Sequence, residues 1–97
     1  MNMQSLMAQA QKMQKDIMNK KEEINKQIFI GNSQGIEVTV NGKKELLSIK
    51  INEDMKNEDL EMLQDMIVVA VNDALKKVDS AIEKSMGQYG SAFNGLF

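Results

Sequence analysis

The chain predicts an α+β fold: a three-stranded antiparallel sheet flanked by two long helices. Three observations carry that reading. Residues 36–40 and 47–51 alternate apolar and polar with period two. Residues 2–26 and 57–86 instead repeat their apolar positions at helical spacing. All of this fits within 97 residues, enough for one domain of modest core.

The first helix spans 2–26, a stretch without Gly or Pro. Met3, Ala10, Ile17 and Ile24 fall at one heptad position, and Leu6, Met13 and Lys20 at another. Lys20 breaks that apolar seam. Such a helix is ~37 Å long.

Residues 27–31, Gln-Ile-Phe-Ile-Gly, read as a first strand, and 32–35 as a turn. In the next strand Ile36, Val38 and Val40 share one face, with Glu37, Thr39 and Asn41 on the other. Asn41-Gly42 signals a turn, since both residues tolerate positive φ. A two-residue turn there sets Val38 against Glu45. A longer loop, with Lys43 and Lys44 at its tip, sets Val38 against Leu47 or Ile49 and matches apolar to apolar. The longer loop is preferred. In the third strand Leu47, Ile49 and Ile51 alternate with Ser48 and Lys50.

Residues 52–56 leave the sheet as an acidic linker. Asn57 suits the N-cap of the long helix, with Glu58, Asp59 and Glu61 complementing the helix dipole. Leu60, Leu63, Ile67, Ala70, Val71, Ala74, Val78, Ala81 and Ile82 mark its stripe, widened by Met66 and Leu75, and Val71 is expected to be buried. Gly87 ends it. Residues 87–97 show no period and read as a flexible tail. The other reading docks Phe93, Leu96 and Phe97 on a partner or on the sheet.

Strands of five or six residues span ~17–20 Å. Both helices are about twice as long, so the sheet covers part of each stripe. The Met3–Met13 stretch is expected to project, and an uncovered apolar stripe marks an interface. A homodimer is expected. Ile36, Val38, Val40, Leu63, Ile67 and Val71 are its candidate interface or core.

Charge is uneven. Residues 1–30 are net +2, 31–51 net +1 and 52–97 net −5, giving −2 overall. The twelve basic residues are all Lys. Without Arg there is no guanidinium fork for a guanine edge or a phosphate. His and Cys are absent, and no Gly-rich phosphate loop occurs, so catalysis, a cofactor and a small-molecule substrate are not expected. The acids between Glu53 and Asp65 lack the order of a calcium loop, so no metal is expected. No apolar run reaches membrane-spanning length and no signal peptide is visible. A cytoplasmic location follows.

Residues 61–74, Glu-Met-Leu-Gln-Asp-Met-Ile-Val-Val-Ala-Val-Asn-Asp-Ala, closely resemble the YbaB/EbfC family of bacterial nucleoid-associated DNA-binding proteins. Residues 7–14, Met-Ala-Gln-Ala-Gln-Lys-Met-Gln, are similar to its Gln- and Met-rich first helix. Gly35–Gly42, Ile49-Lys50-Ile51 and Asn94-Gly95-Leu96-Phe97 extend the resemblance over nearly the whole chain. Asn52-Glu53 stands where the family often has Asp-Pro. The resemblance implies an α-β-β-β-α subunit in a tweezer-like homodimer, with double-stranded DNA between or against the terminal helices, at the nucleoid.

Within that expectation Lys12, Lys15, Lys21 and Lys26 lie off the seam of the first helix and suit phosphates as point charges. Lys77 and Lys84, late in the long helix, complete the candidate set. Read without the resemblance, each Lys is an ordinary surface charge. Asp16–Lys20, Glu22–Lys26 and Asp73–Lys77 have the spacing of helix-surface pairs. The competing functional reading is a helical adaptor whose Met-rich arm grips a protein.

Overall fold

The computed structural model describes residues 2–87. In chain order it has α1 (Met3–Lys26), β1 (Ile28–Ser33), β2 (Ile36–Asn41), β3 (Leu46–Ile51) and α2 (Leu60–Met86), with a 3-10 turn at Glu53–Met55 before α2. This is the α-β-β-β-α arrangement read from the sequence. The sheet is an antiparallel meander in the order β1-β2-β3. The expectation of a flexible tail over 87–97 falls on residues 88–97, outside the described residues.

The helix starts follow from capping chemistry. Asn2 Oδ1 accepts from the Ser5 N–H at 2.8 Å and closes the first turn of α1. The cap of α2 is Asp59, not Asn57. Its Oδ1 accepts from the Glu61 N–H at 2.8 Å. The reason lies just upstream. The N–H groups of Met55, Lys56 and Glu58 already bond to Asn52, Glu53 and Met55 carbonyls in successive tight turns. Helical bonding can begin only after them. At the other end Gly87 has φ −56°, so α2 does not close on a left-handed glycine.

The first hairpin is tighter than expected. Ser33 pairs with Ile36, so β1 runs two residues further and only Gln34 and Gly35 turn. Both have positive φ, 40° and 92°. In the second hairpin the Asn41-Gly42 signal marks a turn for a different reason than positive φ. Lys44 takes the left-handed conformation, at φ 65°. Asn41 holds the loop with its side chain. Its Oδ1 accepts from the N–H groups of Lys43 and Glu45, and its amide donates to Glu45. Gly42 is needed for space: a Cβ there would fall on the Ile24 carbonyl of α1.

Val38 lies opposite Ile49 and Ile36 opposite Ile51. A bulge then skips Leu47 and sets Leu46 opposite Val40. Leu46, not Leu47, therefore shares a face with Ile49 and Ile51. Ile36, Val38 and Val40 are buried on the same face. Against them α2 lays Ala70, Ala74, Val78, Ile82 and Met86, every fourth residue, all buried. Ala70 and Ala74 are small because α2 sits directly on Gly31, where a Cβ would meet their backbone. Val71 is half-buried, contrary to expectation. It belongs to the neighbouring row with Leu63, Ile67 and Leu75.

α1 runs antiparallel to α2. Ile17 and Ile24 join the core, and Lys20 Nζ donates to the Ser85 carbonyl at 3.1 Å. From Lys20 back to Met3, α1 runs ~26 Å past the end of α2, which is itself ~40 Å long. Those two lengths account for the 69 Å long axis of the molecule.

Candidate nucleic-acid interface

Lys12 and Lys15 stand exposed on the half of α1 that lies beyond Met86. Lys21 is half-buried where α1 meets the body. Lys26, at the end of α1, lines a shallow hollow of about 520 Å³ with Lys43 of the β2–β3 tip. Glu22 and Glu45 line the same hollow, so its charges balance. Lys84 is exposed in the last turn of α2. The candidate lysines thus form no single cluster. They spread from the far end of α1 to its junction with α2.

Lys77 is engaged in structure. Its Nζ donates to the Ile30 carbonyl at 2.6 Å and lies 3.5 Å from Asp73. Asp73 in turn accepts from the Asn32 N–H at 3.1 Å. Ile30 and Asn32 offer these groups along the outer edge of β1. One helical pair therefore caps the edge that would otherwise be open to pairing. The Asn32 hydrogen bond, aided by the Lys77 charge, holds the Asp73 carboxyl below the usual carboxylate range, against a smaller opposing effect of desolvation.

The other edge of the sheet differs. Among the described residues β3 has no neighbour beyond β2, and every residue in it is exposed. Its core-face residues Leu46, Ile49 and Ile51 keep 51, 41 and 45% exposure, because the helices cover β1 and β2 but not β3. Leu63, Ile67 and Val71 lie on the flank of α2 opposite Asp73, half-buried. Val68 and Val69 are exposed on the remaining sides. Residues 66–71 of α2 are thus apolar all round, the pattern of a helix with a second packing partner.

Charge separates along the long axis. Exposed Glu58, Asp59, Glu61 and Asp65 open α2 at the end remote from Lys12 and Lys15. Among the described residues no group of three or more acids, His or Cys is placed to hold a metal ion. No helix there is long and apolar enough to cross a membrane.

Two lysines have structural roles that the sequence reading did not assign. Lys20 reaches the last turn of α2, where a cation complements the helix dipole. Its signal was the break in the apolar seam. Lys44 pairs with Asp79 at 2.8 Å and ties the hairpin tip to α2. No local pattern announces that contact, since the two lie 35 residues apart in sequence.

A sequence model of the YbaB/EbfC DNA-binding family matches residues 1–93. A nucleoid-associated protein of Ligilactobacillus salivarius is 37% identical over 99% of this chain and 95% of its own length. One from Lactococcus lactis is 46% identical over 92% of this chain and 93% of its own. Among solved structures, uncharacterized protein HP0035 from Helicobacter pylori superimposes with a TM-score of 0.70. It is 26% identical, and the match covers 100% of this chain and 99% of that one.

Proposed function

This chain belongs to the YbaB/EbfC DNA-binding family, and from that premise we propose that it binds duplex DNA as a homodimer at the nucleoid. Binding is mainly to phosphates and weakly sequence-specific. The observation that carries this reading is the exposure of Lys12 and Lys15 on a helix end that reaches well past the body. A lysine ammonium meets a phosphate as a point charge and reads no base. With no Arg in the chain, no guanidinium fork is available for a guanine edge. Lys21, Lys26 and Lys84 extend the positive surface toward the body. Lys77 contributes less, because its ammonium is held at the β1 edge.

The dimer reading is supported by the contrast between the two sheet edges. Asp73 and Lys77 cap β1, while β3 is open with an uncovered apolar face. A second copy packed on β3 and on the Leu63–Ile67–Val71 flank would bury that face. The pair would then present two arms, as in tweezers. The acidic starts of α2 would repel a DNA backbone, so DNA sits toward the arms.

A gel shift on unrelated duplexes at several salt concentrations tests this. The expected result is binding to all of them that weakens as salt rises. Absence of a shift at low salt overturns it. A second reading, a protein-binding adaptor, draws on the exposed Met3, Leu6, Met7 and Met13 of the arm. It predicts no shift together with capture of a protein through α1.

A further inference from the structure

One apolar face of α1 is half covered. Ile17 and Ile24 of that face are buried against the body. Beyond Met86 the same face continues as Met13, Ala10, Leu6 and Met3, and its three large residues are 44 to 75% exposed. The run keeps heptad spacing, with Met3, Ala10 and Ile17 at one seam position and Leu6 and Met13 at the other. From Asn2 to Gln11 no side chain is charged. Lys12 and Lys15, which follow, stand off the seam.

This face is complementary to itself. Laid antiparallel about Ala8, two such arms set Met3 against Met13 and Leu6 against Ala10. A large residue then meets a small one, so the helices interlock. Lys12 falls opposite Gln4, and no like charges meet. A parallel pairing would set Ala10 against Ala10 and leave a gap. The overlap also ends before the body begins. Each tip lies level with Gln14 of the other copy, ~9 Å short of Lys20, where α1 meets the last turn of α2.

We propose that the exposed face of α1 pairs antiparallel with the same face of a second copy, in the neighbouring dimer on one duplex, making DNA binding cooperative. The inference rests on the DNA reading above. Size explains why the duplex is needed. A stable interface takes ~20–30 residues a side. Met3, Leu6, Met7, Ala10 and Met13 are far fewer, so the contact does not hold in dilute solution. Copies on one duplex meet at a much higher effective concentration. Lys12 and Lys15 lie on the back of the seam, which makes arm pairing and phosphate contact compatible.

The chain has no Cys, so single ones can be introduced. Met3→Cys and Met13→Cys chains, mixed on a long duplex and treated with a thiol cross-linker, should join. Met3→Cys chains alone, and Ala8→Cys chains alone, should not. Without DNA, and on a short duplex with room for one dimer, the mixture should stay unjoined. After allowance for the number of sites, the parent should bind the long duplex ~5–150-fold more tightly than the short one. Leu6→Gln with Met13→Gln should bind the short duplex like the parent and lose that gain, with helix content unchanged. A parent that binds both duplexes alike overturns the proposal and leaves the DNA reading standing. A parent that binds neither removes the DNA reading, and the proposal with it. Absence of joining on the long duplex, or a double Gln variant that keeps the gain, overturns the seam. Joining on the short duplex or without DNA overturns the placement between neighbouring dimers. Joining of Met3→Cys chains alone overturns the antiparallel register.

Discussion

The carboxylate of Asp73, on α2, accepts a hydrogen bond from the Asn32 N–H of β1 at 3.1 Å. A side chain of one element here completes the backbone bonding of another. Asp73 titrates below its usual value of 3.8, first because of this bond and then because of Lys77. A depressed carboxylate stabilises the fold above its unfolded value, and that stabilisation is lost as pH falls through the lower folded value.

Asp73→Asn should therefore lower Tm at neutral pH. The gap to the parent should narrow as pH falls below about 4, where the parent loses the same contribution. Melts from pH 7 to 2 check this. A gap that stays constant with pH would show that the charge of Asp73 is irrelevant to the contact.

Gly31→Ala should be costly, because the new Cβ would meet Ala70 and Ala74 backbone that cannot swing aside. Overpacking of this kind costs ~1–3 kcal/mol or more. For a domain of this size that corresponds to a Tm drop of ~4 °C or larger. Gly87→Ala is the control. None of the described residues lies near its Cβ and its φ is right-handed, so it should be neutral or stabilising.

Gly31 and Gly42 bear on how much of the fold was legible in the sequence. Period-two and helical patterns are local, and they were enough for the element order and for the longer second loop, which left Val38 opposite Leu47 or Ile49; the structure selects Ile49. Close approach between elements is not local. Gly31 under Ala70 and Ala74, and Gly42 under Ile24, became visible only with the helices in place. A strand Gly together with two Ala four residues apart was the available hint. The N-cap at Asp59 was missed because the turns at 52–58 use the preceding N–H groups. Val71 is half-buried in the single chain because the stripe of α2 is two rows wide, and the row on Gly31 must be the small one. For the candidate interface, sequence marked lysines off the apolar seam. It could not separate Lys77, committed to the Ile30 carbonyl, from the exposed Lys12.

Lys77→Gln and Lys12→Gln should thus behave differently. The first should lower Tm, because Ile30 and Asp73 lose their partner, and should change DNA affinity little. The second should leave Tm unchanged and weaken DNA binding. Equal effects of the two on the salt dependence of binding would contradict the distinction.

Val71 tests the dimer. It is half-buried on the flank next to the open face of β3. Val71→Asp would set a carboxylate in the proposed seam, where an unpaired charge is strongly disfavoured. Light scattering should show the mass falling to that of a single 10.9 kDa chain while helix content persists. A variant that remains a dimer would remove this flank from the interface.

If DNA is held through phosphates by the lysines of α1, the salt dependence of binding reports it most directly. The variant to measure replaces Lys12, Lys15, Lys21 and Lys26 together with Gln, on unrelated duplexes. Gln keeps helix propensity while removing charge, and helicity and mass are checked first. For each phosphate deprived of its lysine, the log–log slope should flatten by ~0.9, alike on every sequence. A folded variant that binds with the parent's affinity and the parent's slope would contradict the assignment of α1 as the DNA-binding surface.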